Sequence, residues 1–207
     1  MTTYAFPNIT PTTQTFELVT NTKTFQSPLT NAIQTVSRKG SYWKTSMTFS
    51  NLSGLERASL QGFISKLNGQ EHRFTCRDFG AVKLGNAPLS DSPTIYDMTI
   101  LGFPNVGESN RVVLNNVTGG ISNYFRAGDY ISFNNELHMI TQDSSSIAEG
   151  RVSAYIGPNL RVQPTPSEPV SIVNATSVFM MTNNPKWTTQ APYFSSITIE
   201  AIEDVLA

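Results

Sequence analysis

The chain has 207 residues, room for one large domain or two small ones, and only 14% of them are charged against a usual share of about 25%. Thr, Ser and Asn fill the gap, a composition that favours strands and argues against a long helical bundle. A net charge of −1 leaves no basic footprint for nucleic acid as the main partner; the nearest approach, Arg38-Lys39 with Lys44, reads as solvated strand-end charge. Cys76 is the single cysteine, so no intramolecular disulfide can form. Met1–Tyr4 lacks the basic and apolar regions of a signal peptide, and no apolar run approaches the roughly 20 residues that span a bilayer. The expectation is a protein made in the cytoplasm, soluble and without a membrane span.

In chain order, Pro7, Pro11 and Pro28 punctuate a Thr-rich start, within which Thr15–Thr20 alternates Phe16 and Leu18 as a strand would. Ile33–Ser37 is a second strand candidate. From Tyr42 to Phe49 the alternation is strong: Trp43, Thr45, Met47 and Phe49 share one face. Ser53-Gly-Leu-Glu56 then matches a capping box, and Leu60, Phe63, Ile64 and Leu67 form an apolar stripe behind it. A helix over about 54–68 follows, with Gly69 as the left-handed residue beyond it. Glu71–Cys76, containing Phe74, returns to strand.

Gly80–Pro93 is dense in turn residues and reads as a connector. Beyond it lie short strand candidates at Thr94–Leu101, Arg111–Val117, Asp129–Phe133, Glu136–Thr141, Arg151–Ile156, Leu160–Gln163 and Val170–Val173. Asn134-Asn135 suits a tight hairpin, because Asn tolerates positive φ. Val178–Met181 and Tyr193–Ile202 complete the set. The predicted fold is mainly β. A β-sandwich or tube-like domain, 1–80 plus 185–207, bears the amphipathic helix and carries an inserted small β-barrel over 81–184.

Chemistry-bearing constellations are scarce. The two histidines, His72 and His138, lie near no nucleophile motif, and a metal site built on Glu71-His72, Cys76 and Asp78 would lack the paired Cys or His of structural zinc. Gly119-Gly120 and Gly157-Pro158 read as turns, since no phosphate-binding loop pattern accompanies them. No enzymatic activity and no cofactor is expected. Trp43 and Trp187 are candidates for a sugar platform, but Trp43 lies on the apolar face of its strand and reads as core.

Three stretches carry a family resemblance. They are Ser27-Pro-Leu-Thr-Asn-Ala-Ile-Gln-Thr-Val36 followed by Trp43 and Phe49; Phe63-Ile-Ser-Lys-Leu-Asn-Gly69 with Arg73-Phe74; and Phe125-Arg-Ala-Gly-Asp-Tyr-Ile131 with His138-Met-Ile-Thr141 and Ile156-Gly-Pro-Asn-Leu-Arg161. In order and spacing these resemble a family of tail proteins of long-tailed bacteriophages, similar to distal tail or minor tail proteins encoded near tape-measure and baseplate genes. Asn31 stands where that family often has Gly. The resemblance implies a structural virion protein of the tail, forming a ring of its own copies, a hexamer, at the tail tip or baseplate. It would link the tail tube to adhesion parts and contact other phage tail proteins. Trp43, Met47, Phe49, Leu60, Phe63, Ile64, Leu67 and Phe74 are the core and assembly candidates, and the arm Met1–Thr15 is expected to order on assembly. One alternative is a head-decoration, adaptor or nozzle-type protein of a short-tailed phage. Another is a carbohydrate-binding module in host recognition, with Tyr96, Tyr124, Tyr130 and Tyr155 as contact aromatics.

Overall fold

Alternating apolar residues at the two ends of the chain build one curled sheet, and those in its middle build another. The computed structural model describes residues 1–37, 40–88, 98–102, 110–190 and 194–205. Its elements are β1 (Thr3–Ala5), β2 (Thr13–Val19), β3 (Thr22–Gln26), β4 (Ile33–Ser37), β5 (Tyr42–Leu52), α1 (Gly54–Leu67), β6 (Arg73–Cys76), β7 (Thr99–Ile100), β8 (Arg111–Asn115), β9 (Tyr130–Phe133), β10 (Glu136–Gln142), β11 (Arg151–Gly157), β12 (Ser177–Met181), β13 (Thr188–Gln190) and β14 (Phe194–Glu203). The fold is mainly β with one helix, and its sheets curl into half-barrels. No helix among the described residues is long and apolar enough to cross a membrane.

The large sheet runs β1-β6-β12-β14-β5-β2, with β13 on β14 off that path. Its terminal strand β14 lies between β5 and β12, so the chain's end returns to its beginning as expected. Ser177–Met181, expected inside the insert, belongs to this sheet instead and pairs with β6 and β14. The arm before Thr15 packs against the large sheet within the chain. Here β1 pairs in parallel with β6, and Phe6 packs its ring on Phe49, Phe63 and Phe74. Four apolar rings meeting in one place hold the segment without a neighbour.

The core of this sheet takes Trp43, Met47 and Phe49 from β5, Leu60, Phe63 and Leu67 from α1, and Phe74 from β6, all buried, with Ile64 half-buried at the margin. Each such side chain contributes roughly 1.5–3 kcal/mol on leaving water. At the head of α1, Ser53 Oγ accepts from the Glu56 N–H, and the Glu56 carboxylate accepts from the Ser53 N–H at 2.9 Å. At its tail the left-handed conformation begins one residue earlier than predicted, at Asn68 (φ 47°), and continues at Gly69 (φ 69°). Among the described residues, Asn accounts for eight of the nine non-glycine residues with positive φ. The Asn-rich composition is therefore turn chemistry, since Asn enters the left-handed region more readily than other side chains. Asn31 (φ 54°) keeps the backbone that a glycine would take, and Asn134-Asn135 (φ 50° and 60°) turn the β9–β10 hairpin as predicted.

The second sheet runs β7-β8-β11-β10-β9 around its own core of Leu114, Phe125, Ile131, Ile140 and Ile156. Residues 167–171 join its two edges. Ser167 and Val170 donate to Ile100 O and Met98 O beside β7, at 3.1 and 2.9 Å, while Ser171 and Ser132 of β9 exchange both backbone bonds. The strand expected at Val170–Val173 is reduced to one isolated bridge, at Ser171, because Pro164, Pro166 and Pro169 remove donors from the approach. Leu160–Gln163 is not a strand either, since the N–H groups of Arg161 and Val162 bond the Glu136 carboxylate instead of a ladder. Of the predicted Thr94–Leu101 strand, Thr99–Ile100 forms β7, and residues 94–97 lie outside the described residues, as do Arg38-Lys39 and Tyr193. The short β1, β3 and β13 were not predicted.

Candidate functional site

The two sheets meet along a buried polar seam. Glu203, the last residue of β14, has a side chain wholly removed from solvent and is ringed by donors. Its Oε2 accepts from the Trp43 N–H at 3.1 Å and from Arg161 Nη1 at 2.5 Å, and its Oε1 accepts from Arg161 Nη2 at 2.7 Å. The Ser177 hydroxyl stands 2.6 Å from both that Oε1 and the Asn135 carbonyl, with one proton to give. Arg161 follows β11, so this fork-to-fork pair ties the insert to the large sheet. Arg161 Nη1 also donates to Ser41 O at 3.0 Å.

Glu136 opens β10 on the same seam. Burial alone would raise its carboxyl, but the His138 and Arg161 contacts outweigh that and hold it below the ordinary glutamate value. Burial works against the Arg161 charge too, and Glu203 and then Glu136 more than offset it, raising the guanidinium further. His138 is fully buried and stacked on Phe133; its Nδ1 lies 2.9 Å from Pro158 O and its Nε2 3.3 Å from Glu136 Oε2. Trp43 makes a second tie, donating its indole N–H to Leu137 O at 2.8 Å.

A carboxylate also fixes the connector. Asp129 Oδ1 accepts from the Leu84 N–H at 2.5 Å, and Oδ2 accepts from the N–H groups of Gly85 and Arg126 at 3.0 and 2.9 Å. Residues 84 and 85 are thereby pinned to the rim of the second sheet.

Beside the seam lies a groove of about 180 Å³ lined by Arg77, Asp78, Val82, Tyr130, Ile172 and Asn174, among others. Tyr130 donates its hydroxyl to Asp78 Oδ2 at 3.3 Å, and burial first, then the Asp78 charge, pushes the phenol's ionisation well above its usual range. Asp78 Oδ1 accepts from the Gly80 N–H at 2.8 Å.

The residues singled out by sequence fall into different places. Trp43, Met47, Phe49, Leu60, Phe63, Leu67 and Phe74 form one core. Tyr124 is a correction: it is fully buried against Phe125, so no glycan can reach it. Tyr130 is half-buried at the groove, Tyr155 is half-buried on β11, and Tyr96 lies outside the described residues. Trp187 is partly buried against the large core with Arg57 over its ring. His72, Cys76 and Asp78 do not converge: His72 packs on Tyr4, Cys76 Sγ faces Met47 Sδ in the core, and Asp78 holds Tyr130. Among the described residues no group of three or more His, Cys, Asp or Glu is placed to hold a metal ion.

The β3–β4 hairpin has the opposite character. Phe25, Leu29, Ile33 and Val36 are all exposed, Leu29 to 94%. The register Lys23↔Val36 and Phe25↔Gln34 puts Phe25 and Val36 on one face and Ile33 on the other, with Leu29 in the turn. No family model matches the chain, and no curated protein does.

Proposed function

We propose that the chain is a structural virion protein, a ring-forming tail subunit at the tail tip or baseplate that joins the tail tube to adhesion parts. The observation that carries the assembly part is the β3–β4 hairpin. An isolated two-stranded ribbon is marginal in water, and this one carries apolar side chains on both faces and at its tip. Such an element is built to be surrounded, and four exposed apolar residues on one projection are more than a monomer's scattered surface requires. The large sheet adds two open edges, β1 and β2, able to extend into a neighbour. A projection on one part of the molecule that fits a different part of the next copy makes a heterologous contact, and such contacts close into a ring when the rotation between copies completes a full turn. The tail position rests on the resemblance of the three motif stretches; a head-decoration, adaptor or nozzle-type role would use the same hairpin.

Size-exclusion chromatography with light scattering, followed by negative-stain imaging, tests the reading. The full chain should assemble, and a variant with residues 23–36 replaced by a short Asn-Gly turn should stay monomeric with an unchanged melting profile. A full chain that remains monomeric at high concentration overturns self-assembly. A map of the intact particle decides between tail and head.

A further inference from the structure

We infer that the groove between the connector and the 172–175 segment is a binding site for a neutral, hydroxyl-rich ligand, a sugar ring. This goes beyond the assembly reading and does not depend on it.

The groove's charges cancel: Arg77 and Lys83 face Asp78 and Asp129. Lys83 is turned back onto the carbonyls of Gly85 and Ala87, and Asp129 is saturated by backbone N–H groups. That leaves Arg77 and Asp78 as the charged groups able to meet a ligand. The Arg77 guanidinium lies over the Phe79 ring, 5.1 Å from its centroid, and among the described residues makes no hydrogen bond. Asp78 spends one bond on each oxygen and keeps lone pairs free. An anion would face the Asp78 carboxylate, and a cation would face Arg77. A hydroxyl is donor and acceptor at once, so adjacent hydroxyls on one ring can satisfy both without a net charge. Val82 and Ile172 offer an apolar wall for the ring's C–H face.

Size narrows the ligand further. A volume of about 180 Å³ is below the several hundred that hold drug-sized molecules, and suits a single ring. A second cavity of about 200 Å³, lined by Phe6, Pro7 and Thr176, shares Arg77 and Asn174 with the first. Those two residues therefore stand where two linked rings would join, and a disaccharide has somewhere to put its second ring.

The experiment uses the full, isotopically labelled chain and follows the amide resonances of Arg77, Asp78, Tyr130 and Asn174 by NMR. The probes are glucose, galactose, rhamnose and N-acetylglucosamine, the disaccharides maltose, lactose and diacetylchitobiose, and charged counterparts glucuronate and glucosamine. At least one neutral sugar should shift the groove amides at millimolar concentration, its disaccharide should bind more tightly, and the charged pair should leave them in place. R77M, which keeps an apolar side chain on the Phe79 ring but removes the donors, and N174G, which keeps the positive φ, should each weaken binding about tenfold. The inference is overturned if no neutral sugar moves these resonances at tens of millimolar, if a charged sugar binds as well as the neutral ones, or if R77M binds unchanged. Oligomeric state, read separately, is indifferent to all three outcomes.

Discussion

Arg161 and Glu203, 42 residues apart, meet fork to fork with both side chains almost wholly buried. One belongs to the segment leaving the second sheet and the other to the last strand of the large sheet. Neither charge has water to fall back on. The pair fixes how the two sheets sit against each other, and its value lies in what happens when one member is lost.

Arg161→Ala leaves Glu203 and Glu136 buried without their cation. The expected loss is about 3–5 kcal/mol, the usual cost of orphaning a buried charge. Arg161→Lys keeps the charge and loses the two-pronged geometry, and should fall between the two. Urea denaturation with an unchanged m-value measures both; a loss below about 1 kcal/mol for the alanine variant would mean the pair behaves like a solvent-exposed one.

Acid should loosen the seam through Glu136. Its carboxyl is held below the ordinary value of 4.5, so it binds a proton less readily folded than unfolded. The stability it contributes is therefore complete above pH 4.5 and drains away as pH falls through the lower folded value. Glu136→Gln should flatten that part of the profile. Thermal melts of both proteins between neutral and acid pH test it, and parallel curves would refute the assignment.

Cys76 should be inert. Burial in the core pushes its thiol up to about 12, leaving almost no thiolate at neutral pH. An aromatic disulfide reagent should react with none of it in the native protein and with one equivalent in guanidinium. Rapid native labelling would mean that β6 opens far more readily than its packing implies.

Gly85→Ala should be severely destabilising. A Cβ there would stand 2.5 Å from Asp129 Oδ2 and 2.9 Å from the Phe125 Cα, and would press into the Tyr124 carbonyl oxygen. Backbone atoms cannot step aside cheaply, so the connector must leave Asp129. Asp129→Asn, which keeps the shape and removes the charge, should cost about 1.5–3 kcal/mol, read by the same denaturation assay.

Much of the fold was legible in local pattern. The period-2 run of β5, the capping box at Ser53 and the stripe from Leu60 to Leu67 are decided by neighbours a few residues away, and the structure follows them. The seam was not legible, although Trp43, His138 and Arg161 all lie in the motif stretches. A glutamate at the end of a strand reads as a solvated charge, and nothing near Glu203 announces a guanidinium 42 positions earlier. The failed strand at 160–163 shares that cause, since its N–H groups answer the carboxylate of Glu136, distant in sequence; at 170–173 it is the prolines just before it that keep the ladder from forming. Tyr124 misled for a simpler reason, since amphipathic tyrosine is at home on either side of a surface.

The chain leaves the large sheet at Cys76 and re-enters it at Ser177, and those two residues are direct partners in the β6–β12 ladder. Entry and exit are thus side by side, the geometry that lets one module be exchanged for another without disturbing its host. Here such an exchange carries a condition. Any replacement for the second sheet inherits the Glu203 carboxylate beneath it, and a graft that brings no guanidinium to that spot leaves the host with an unanswered charge.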